Sequence, residues 1–372
     1  MSVLKRTGAD MRKTTKRLYL IPVLSKALDI LELLQLENQQ ISLEAIYRKT
    51  KISKTTVYRI LKTFVHRGYV SQSQDGLYRH VSRPRKVRFG FGSQSTEMPF
   101  SNTVTASLKL AAAASGVDLV ILDNSYHGPT AIKNAEQFVE KGVDLIIEFQ
   151  VEQSVAPIIA DKIAAANIPL IAVDIPHPHA TYFGVDNYRA GVEAGEALAA
   201  HAAHKWSGRV DWVLGLDLAE AGQLVQSRIT GVFEGIRESF PELPVECFVR
   251  MDGRGMREHS RKLVAGFLQR HSKDKHILIG AATDTSALGA LDAVRELKRE
   301  RHVAIVGQDC IPEAEDEIRK PSSPFIGSVS HEAGSYGERL IHLGLSLLRG
   351  QTVAPYNYVS HRLVTRDNLP PA

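Results

Sequence analysis

Two sets of side chains have the types and spacing to do chemistry. The first lies in SKTTVYRILKTFVHRGYV, residues 53–70. If Val57, Ile60, Leu61 and Phe64 face one side of a helix, Lys54, Thr55, Tyr58, Arg59 and Lys62 face the other. Lys and Arg reach phosphates or guanine edges, while Thr and Tyr donate to phosphates or touch thymine methyls, so this face suits a major groove. The second set lies downstream, where Asp123, Asp174, Asp284 and Asp309 each follow an apolar run, with the Thr283 hydroxyl beside Asp284. A carboxylate accepts hydrogen bonds from neighbouring hydroxyls, which is how a site holds a sugar or polyol. A plainer role competes at Asp123 and Asp284, because an Asp after a strand often caps the next helix.

The elements around the first set form a compact pattern. From Val23, the run SKALDILELLQ places Leu24, Ala27, Leu28, Leu31 and Leu34 on one helical face. Ser42 can cap a second helix, LEAIYRKT, with Leu43, Ile46 and Tyr47 turned to the same core. Ser53 caps the third helix and Gly68 can end it in the left-handed conformation. YVSQ, a turn at Asp75-Gly76, and LYRHV then read as a hairpin, the wing of a winged helix-turn-helix. A three-helix protein-interaction module with a basic solvated face is the competing reading.

Charge supports the nucleic-acid reading. Residues 1–88 carry 19 Lys+Arg against 6 Asp+Glu, a net of +13, and the other 284 residues carry 27 against 35, a net of −8. A basic head on an acidic body concentrates phosphate attraction in one place. At 372 residues the chain has room for two or three domains. Only Cys247 and Cys310 are present, which implies no disulfide framework. The start, MSVLKRTGADMRKTTKRLYLIPVL, is basic and then only briefly apolar, and no run approaches the roughly 18 apolar residues that span a bilayer. The expectation is a cytoplasmic protein with no membrane partner.

The second set sits in a long alternating region. Strand candidates are 87–92, 117–123, 143–149, 169–174, 209–216, 276–284 and 302–309, with helical stretches between them. Such alternation predicts parallel sheets covered by helices on both faces. Two halves of four to six strands suit the length better than one very wide sheet. Ligands of such sheets sit beyond the carboxyl ends of the strands, where the aspartates lie. His177 and His179 fall at the expected cleft rim as exposed loop residues, and without a clear third ligand they predict no metal site.

Both regions resemble known families. S-K-A-L-D-I-L, I-S-L-E-A-I, S-K-T-T-V-Y-R-I-L-K-T-F and R-G-Y-V together resemble the DNA-binding domain of the isocitrate-lyase-regulator family. That resemblance implies Lys54, Thr55, Thr56, Tyr58 and Arg59 as operator contacts, and a dimer on a two-fold operator. The body resembles the ribose-binding-protein and lac-repressor type of periplasmic-binding-protein fold. The resemblance rests on M-P-F at 98–100, I-A-V-D at 171–174, G-V-D-N at 184–187, R-I-T-G at 228–231, A-T-D-T-S-A-L-G-A-L at 282–291, V-G-Q-D at 306–309 and V-S-H at 329–331. It implies two α/β lobes, three crossovers and a small molecule in the cleft. By position, Phe100 matches the stacking ring, Asp174 and Asp309 the lobe carboxylates, and Arg228 the second-lobe arginine. Thr283 falls where asparagine is usual and His331 where glutamine is usual. Met98 replaces a common asparagine, and Ile175 stands where the ribose binders carry arginine. These departures point to a less hydroxylated ligand, or one placed differently.

The expected organisation is an α/β protein. It has a basic tail (1–21), a winged helix-turn-helix (22–81), a linker (82–88) and a two-lobed ligand-sensing domain (87–372). The first lobe is expected at 87–186 plus 310–330, the second at 187–309 plus 331–365. The expected function is a transcriptional regulator, acting as a repressor or activator on double-stranded operator DNA. It would act as a homodimer controlled by a carbohydrate-like effector bound at Phe100, Asp174, Arg228, Thr283, Asp309 and His331. An enzyme with a regulatory head is the alternative, such as a kinase-like sugar-processing protein. FGFGSQ at 89–94 lacks the rest of a dinucleotide fingerprint, GxxxxGK[ST] is absent, and no catalytic triad can be assigned. No cofactor is expected. A transport binding protein, or a regulator of a non-carbohydrate metabolite, completes the set.

Overall fold

The computed structural model describes residues 21–37, 39–81 and 86–369. The chain divides into two units, 1–85 and 86–372. Most of the expected basic tail, and residues 82–85 of the expected linker, lie outside the described residues.

The head unit has helices α1 (Pro22–Leu36), α2 (Leu43–Thr50) and α3 (Lys54–His66), then strands β1 (Val70–Gln72) and β2 (Tyr78–His80). Local chemistry accounts for each boundary. The Ser42 hydroxyl accepts from the Ala45 amide at 3.2 Å, and the Ser53 hydroxyl from the Thr56 amide at 3.4 Å. After α3, Gly68 takes φ 74°, while the Gly68 and Tyr69 amides return to the Val65 and Phe64 carbonyls. β1 and β2 pair antiparallel across the Asp75-Gly76 turn, and Tyr78 also bridges Ile41. α1 is rotated from the expected face. Ile30 and Leu34 are buried with Ala27 and Leu33 against them, whereas Leu24 and Leu28 are exposed. Both stripes satisfy helical spacing, and packing against Ile46 and Tyr78 selects the first.

The body has two six-stranded sheets. β3 (Arg88–Ser93), α4 (Pro99–Ser115), β4 (Asp118–Asp123), α5 (Gly128–Glu140), β5 (Leu145–Glu148), α6 (Ala156–Ala165), β6 (Leu170–Val173) and β7 (Thr181–Val185) open the first lobe. The second lobe holds α7 (Asn187–Trp206), β8 (Trp212–Asp217), α8 (Gln223–Ser239), β9 (Phe248–Asp252), α9 (Arg257–Arg270), β10 (Ile277–Ala281), α10 (Asp284–Glu296), β11 (Val303–Asp309), α11 (Pro312–Arg319) and β12 (Phe325–Ser330). α12 (Tyr336–Leu348) and β13 (Tyr356–Val359) return to the first lobe, and β14 (Arg362–Thr365) ends on the second. The strand orders are β13-β7-β6-β5-β3-β4 and β14-β12-β11-β10-β8-β9, parallel throughout except for antiparallel β14.

This topology corrects the expected lobe boundaries. Residues 310–330 belong to the second lobe: β12 pairs with β11, and Ile311, Ala314, Ile318 and Phe325 fill that lobe's core. Conversely, α12 packs on α4 and β13 pairs with β7, so within 331–365 only β14 lies in the second sheet. The chain crosses between lobes three times, after Val185, after Ser330 and after Val359.

One packing contact holds Arg228 in place. α7 and α8 meet backbone to backbone through Gly191 and Gly195 on one side and Gly231 and Gly235 on the other. A Cβ at Gly191 would lie 2.0 Å from the Arg228 carbonyl oxygen, and one at Gly231 2.2 Å from that of Tyr188. Only glycines allow this approach, and it brings Arg228 beside the start of α7.

Candidate functional site

The outer face of α3 carries the expected groups. Lys54, Thr55, Tyr58, Arg59 and Lys62 are exposed, while Val57, Ile60 and Leu61 are buried behind them. Thr56 differs: it is half-buried, and its hydroxyl bonds the Ser53 hydroxyl at 2.8 Å in the cap. Lys54 pairs with Glu44 at 2.5 Å and lies over the Tyr47 ring, and Lys62 lies over the Tyr58 ring. These contacts hold the ammonium groups at the helix surface. Exposed pairs of this kind contribute little, so a phosphate can displace them.

The body's site is the cleft between its lobes. Phe100, in the first turn of α4, meets Phe149, His331 and Tyr336 edge-on at 5.7–6.3 Å. Asp174, after β6, has φ 61° and is 8% exposed. Its Oδ1 is buried without a hydrogen-bond partner. A Cβ at Gly184 on neighbouring β7 would approach that oxygen to 2.6 Å, so glycine there makes room for it. Burial raises the Asp174 carboxyl to about 6, against the opposing pull of Arg228.

Arg228 enters from α8. Its Nε donates to Asn187 Oδ1 at 2.6 Å and its Nη1 to the Ala282 carbonyl at 2.9 Å, leaving other guanidinium N–H groups for the cleft. Thr283 caps α10 through its side-chain oxygen, accepting from the Ser286 amide, and its hydroxyl hydrogen is free to donate. Asp309, the last residue of β11, has φ 107°; burial holds its carboxyl well above the usual range, with Asp284 and Asp174 adding to the effect and Arg228 opposing it.

The structure brings Phe100, Asp174, Arg228, Thr283 and Asp309 to one cavity. The cavity itself has a volume of about 50 Å³; the surrounding non-atom space, open solvent at the mouth included, comes to about 570 Å³. His331 is elsewhere. It is fully buried beneath the Phe100 ring, outside the cavity wall, with Nε2 2.9 Å from Gln308 Oε1 and Nδ1 3.5 Å from Asp309. Gln308 Nε2 donates to the Ala190 carbonyl, so its oxygen accepts from His331 Nε2. The bare Nδ1 then faces Asp309, and burial keeps the ring neutral. His331 packs edge-on against the Phe100 ring from outside the cavity.

Two of the four strand-end aspartates are structural. Asp123 accepts from the Thr96 amide and hydroxyl and from the Ser125 amide, pinning two loops. Asp284 is fully buried and ties the Ile311 amide to the Ser328 hydroxyl, while Thr283 does the capping. His177 corrects its expected exposure. It is buried, pushed down to about 4 by burial, and bonded to the Ile175 carbonyl, whereas His179 is exposed. Among the described residues no cluster of three metal-ligating side chains occurs.

Sequence reasoning missed Gln94, Tyr126 and Gln150, all on the cavity wall. Gln150 is 2% exposed and its Nε2 has no partner. Gln94 directly follows β3 and Gln150 lies two residues past the end of β5, so extending the strand-end rule to amides would have found them. Tyr126 sits at φ 55° in a loop and carries no such signal.

A winged helix-turn-helix joined to a two-lobed α/β binding fold with a polar interlobe cleft defines the class. Family models agree: a periplasmic binding protein domain matches residues 89–352, and an IclR helix-turn-helix domain matches 23–74. The chain belongs to the periplasmic binding protein domain family and carries an IclR-type head ahead of that domain. No curated protein sequence matches it. Similar solved structures include a periplasmic solute-binding protein from Actinobacillus succinogenes with bound D-allose (18% identity, TM-score 0.66, 76% of this chain and 98% of that one). A glucose-galactose binding protein from Geobacillus stearothermophilus is also similar (19%, 0.67, 77% and 100%). So is a solute-binding protein from Bacillus halodurans with bound myo-inositol (18%, 0.65, 77% and 97%). At these identities the likeness carries the fold. No helix among the described residues is long and apolar enough to cross a membrane.

Proposed function

We propose that this chain is a sequence-specific transcriptional regulator. It binds double-stranded operator DNA through α3 as a homodimer, and a small carbohydrate-like metabolite in the cleft sets its operator affinity. One observation carries the reading: a single chain joins an IclR-type helix-turn-helix to a binding-protein fold whose cleft presents a buried carboxylate oxygen without a partner, Asp174 Oδ1. Such an oxygen is costly to leave unpaired, and a ligand hydroxyl supplies the missing donor. The neighbours that hold D-allose and myo-inositol are consistent with a polyhydroxyl ligand. A chain that works on DNA belongs in the cytoplasm. The ligand acts by favouring one arrangement of the lobes, and it shifts DNA affinity only by its difference in affinity for the two states.

The test uses duplexes selected from random DNA, a sugar and polyol panel, and two variants. Lys54→Ala with Arg59→Ala should abolish selective DNA binding, measured by fluorescence anisotropy, and leave ligand binding intact. Asp174→Ala should weaken the ligand by about 2–3 kcal/mol, roughly 30- to 150-fold in titration calorimetry, with unchanged DNA binding in its absence. Unchanged DNA affinity in the first variant removes α3 as the reader. A normal ligand response in the second places the effector elsewhere.

A further inference from the structure

We infer that the cleft selects an uncharged sugar or polyol that lacks an oxygen where it meets Met98 or Ile175, and that it excludes sugar phosphates and sugar acids. The inference deepens the effector reading above and rests on it.

Charge is the first ground. The charged side chains on the cavity wall are Asp174, Asp309 and Arg228. The single cation already lies in the field of both carboxylates, and two of its N–H groups are committed to Asn187 and Ala282. No lysine and no second arginine lines the wall, so a phosphate or carboxylate would enter with no uncompensated cation to meet it. The unmet polar capacity is of another kind. Asp174 Oδ1 needs a donor and Gln150 Nε2 needs an acceptor, and both are buried at the cleft. A neutral hydroxyl satisfies either one, being donor and acceptor at once.

The second ground is the apolar share of the wall. Ile175 is 2% exposed, directly follows Asp174 and lines the cavity, as does Met98 at the N-terminus of α4. Neither can hydrogen-bond a ligand hydroxyl by a strong donor or acceptor, so a hydroxyl turned to them would lose its water without replacement. A methyl or methylene there loses nothing. Met98 is half-buried where Ile175 is buried, and a flexible thioether side chain is the gentler one to replace, which makes it the residue to change.

Titration calorimetry on the full chain tests this. The panel is allose, galactose, glucose and mannose, each also as its 2-deoxy, 6-deoxy, 6-phosphate and 6-carboxylate derivative. Binding is expected from uncharged members, with at least one deoxy derivative matching or exceeding its parent, and phosphate and carboxylate forms at least 100-fold weaker. In Met98→Asn the deoxy preference should reverse by about tenfold, and Met98→Lys should admit the phosphate, with melting temperatures confirming that both variants fold. A phosphate or carboxylate bound within tenfold of its parent overturns the inference and leaves the effector reading standing. An unchanged ranking in both folded Met98 variants overturns it as well. Silence from the whole panel overturns it together with the carbohydrate reading.

Discussion

At the scale of single residues, burial decides how the body's acids behave. Glu148, on β5 behind the cleft, is fully buried with one oxygen accepting from Asn124 Nδ2 at 2.7 Å and the other unpartnered. Burial pushes it up to about 8. The folded chain therefore keeps this proton to about pH 8, whereas the unfolded chain releases it near the ordinary glutamate value. Between those points the folded state binds more protons, so stability falls as pH rises through that window. Glu148→Gln keeps an acceptor for Asn124 and removes the ionisation. Its stability relative to the parent should be unchanged near pH 4 and higher by on the order of 2 kcal/mol at pH 8, measured by urea denaturation. A difference that does not vary with pH would mean that Glu148 ionises freely in the fold.

At the scale of elements, helix packing governs where the site's cation stands. Gly191 and Gly231 let α7 and α8 touch, and that contact sets Arg228 against Asn187. Gly191→Ala places a methyl against the Arg228 backbone, which cannot move aside as a flexible side chain would. It should destabilise by about 3 kcal/mol in chemical denaturation and also weaken ligand binding. Loss of stability with unchanged affinity would separate the packing from the site. The elements also show what local patterning can reach. The Ser42 and Ser53 caps and the Gly68 stop were legible because capping depends on one side chain and its own turn. β7, β9, β12, β13 and β14 were not legible. TYFGV, FVRMD, FIGSVS, YNYV and RLVT are short and mixed, and their pairing with distant strands makes them strands.

At the scale of the whole body, the lobes meet at the cleft rim. The Tyr126 hydroxyl of the first lobe donates to the Arg254 carbonyl of the second at 3.3 Å, and Gly222 of the second lies against the Gln153 side chain of the first. Such contacts exist only while the cleft is closed, so they add to the closed state's share. Tyr126→Phe removes a hydrogen bond worth about 1 kcal/mol and should weaken ligand affinity about fivefold, while the head's DNA binding without ligand is unchanged. Equal affinity would show that the rim contact does not bias closure.

Readable from the sequence were the winged head, the outward set on α3, the paired parallel sheets, and Asp174 and Asp309 as strand-end carboxylates, while Arg228 was expected in the cleft only through the family resemblance. Caps, helical spacing and polar strand ends are local signals, and they survive folding unchanged. Tertiary structure alone decided the rest. It chose between two equally spaced stripes on α1, sent 310–330 to the second lobe and α12 to the first, and buried His177 and His331. It also turned Asp123 and Asp284 into ties and left Asp174 Oδ1 without a partner. Each of those outcomes depends on which distant segment arrives beside a residue. That is a matter of strand pairing and packing across the fold, and neighbouring residues in the chain do not encode it.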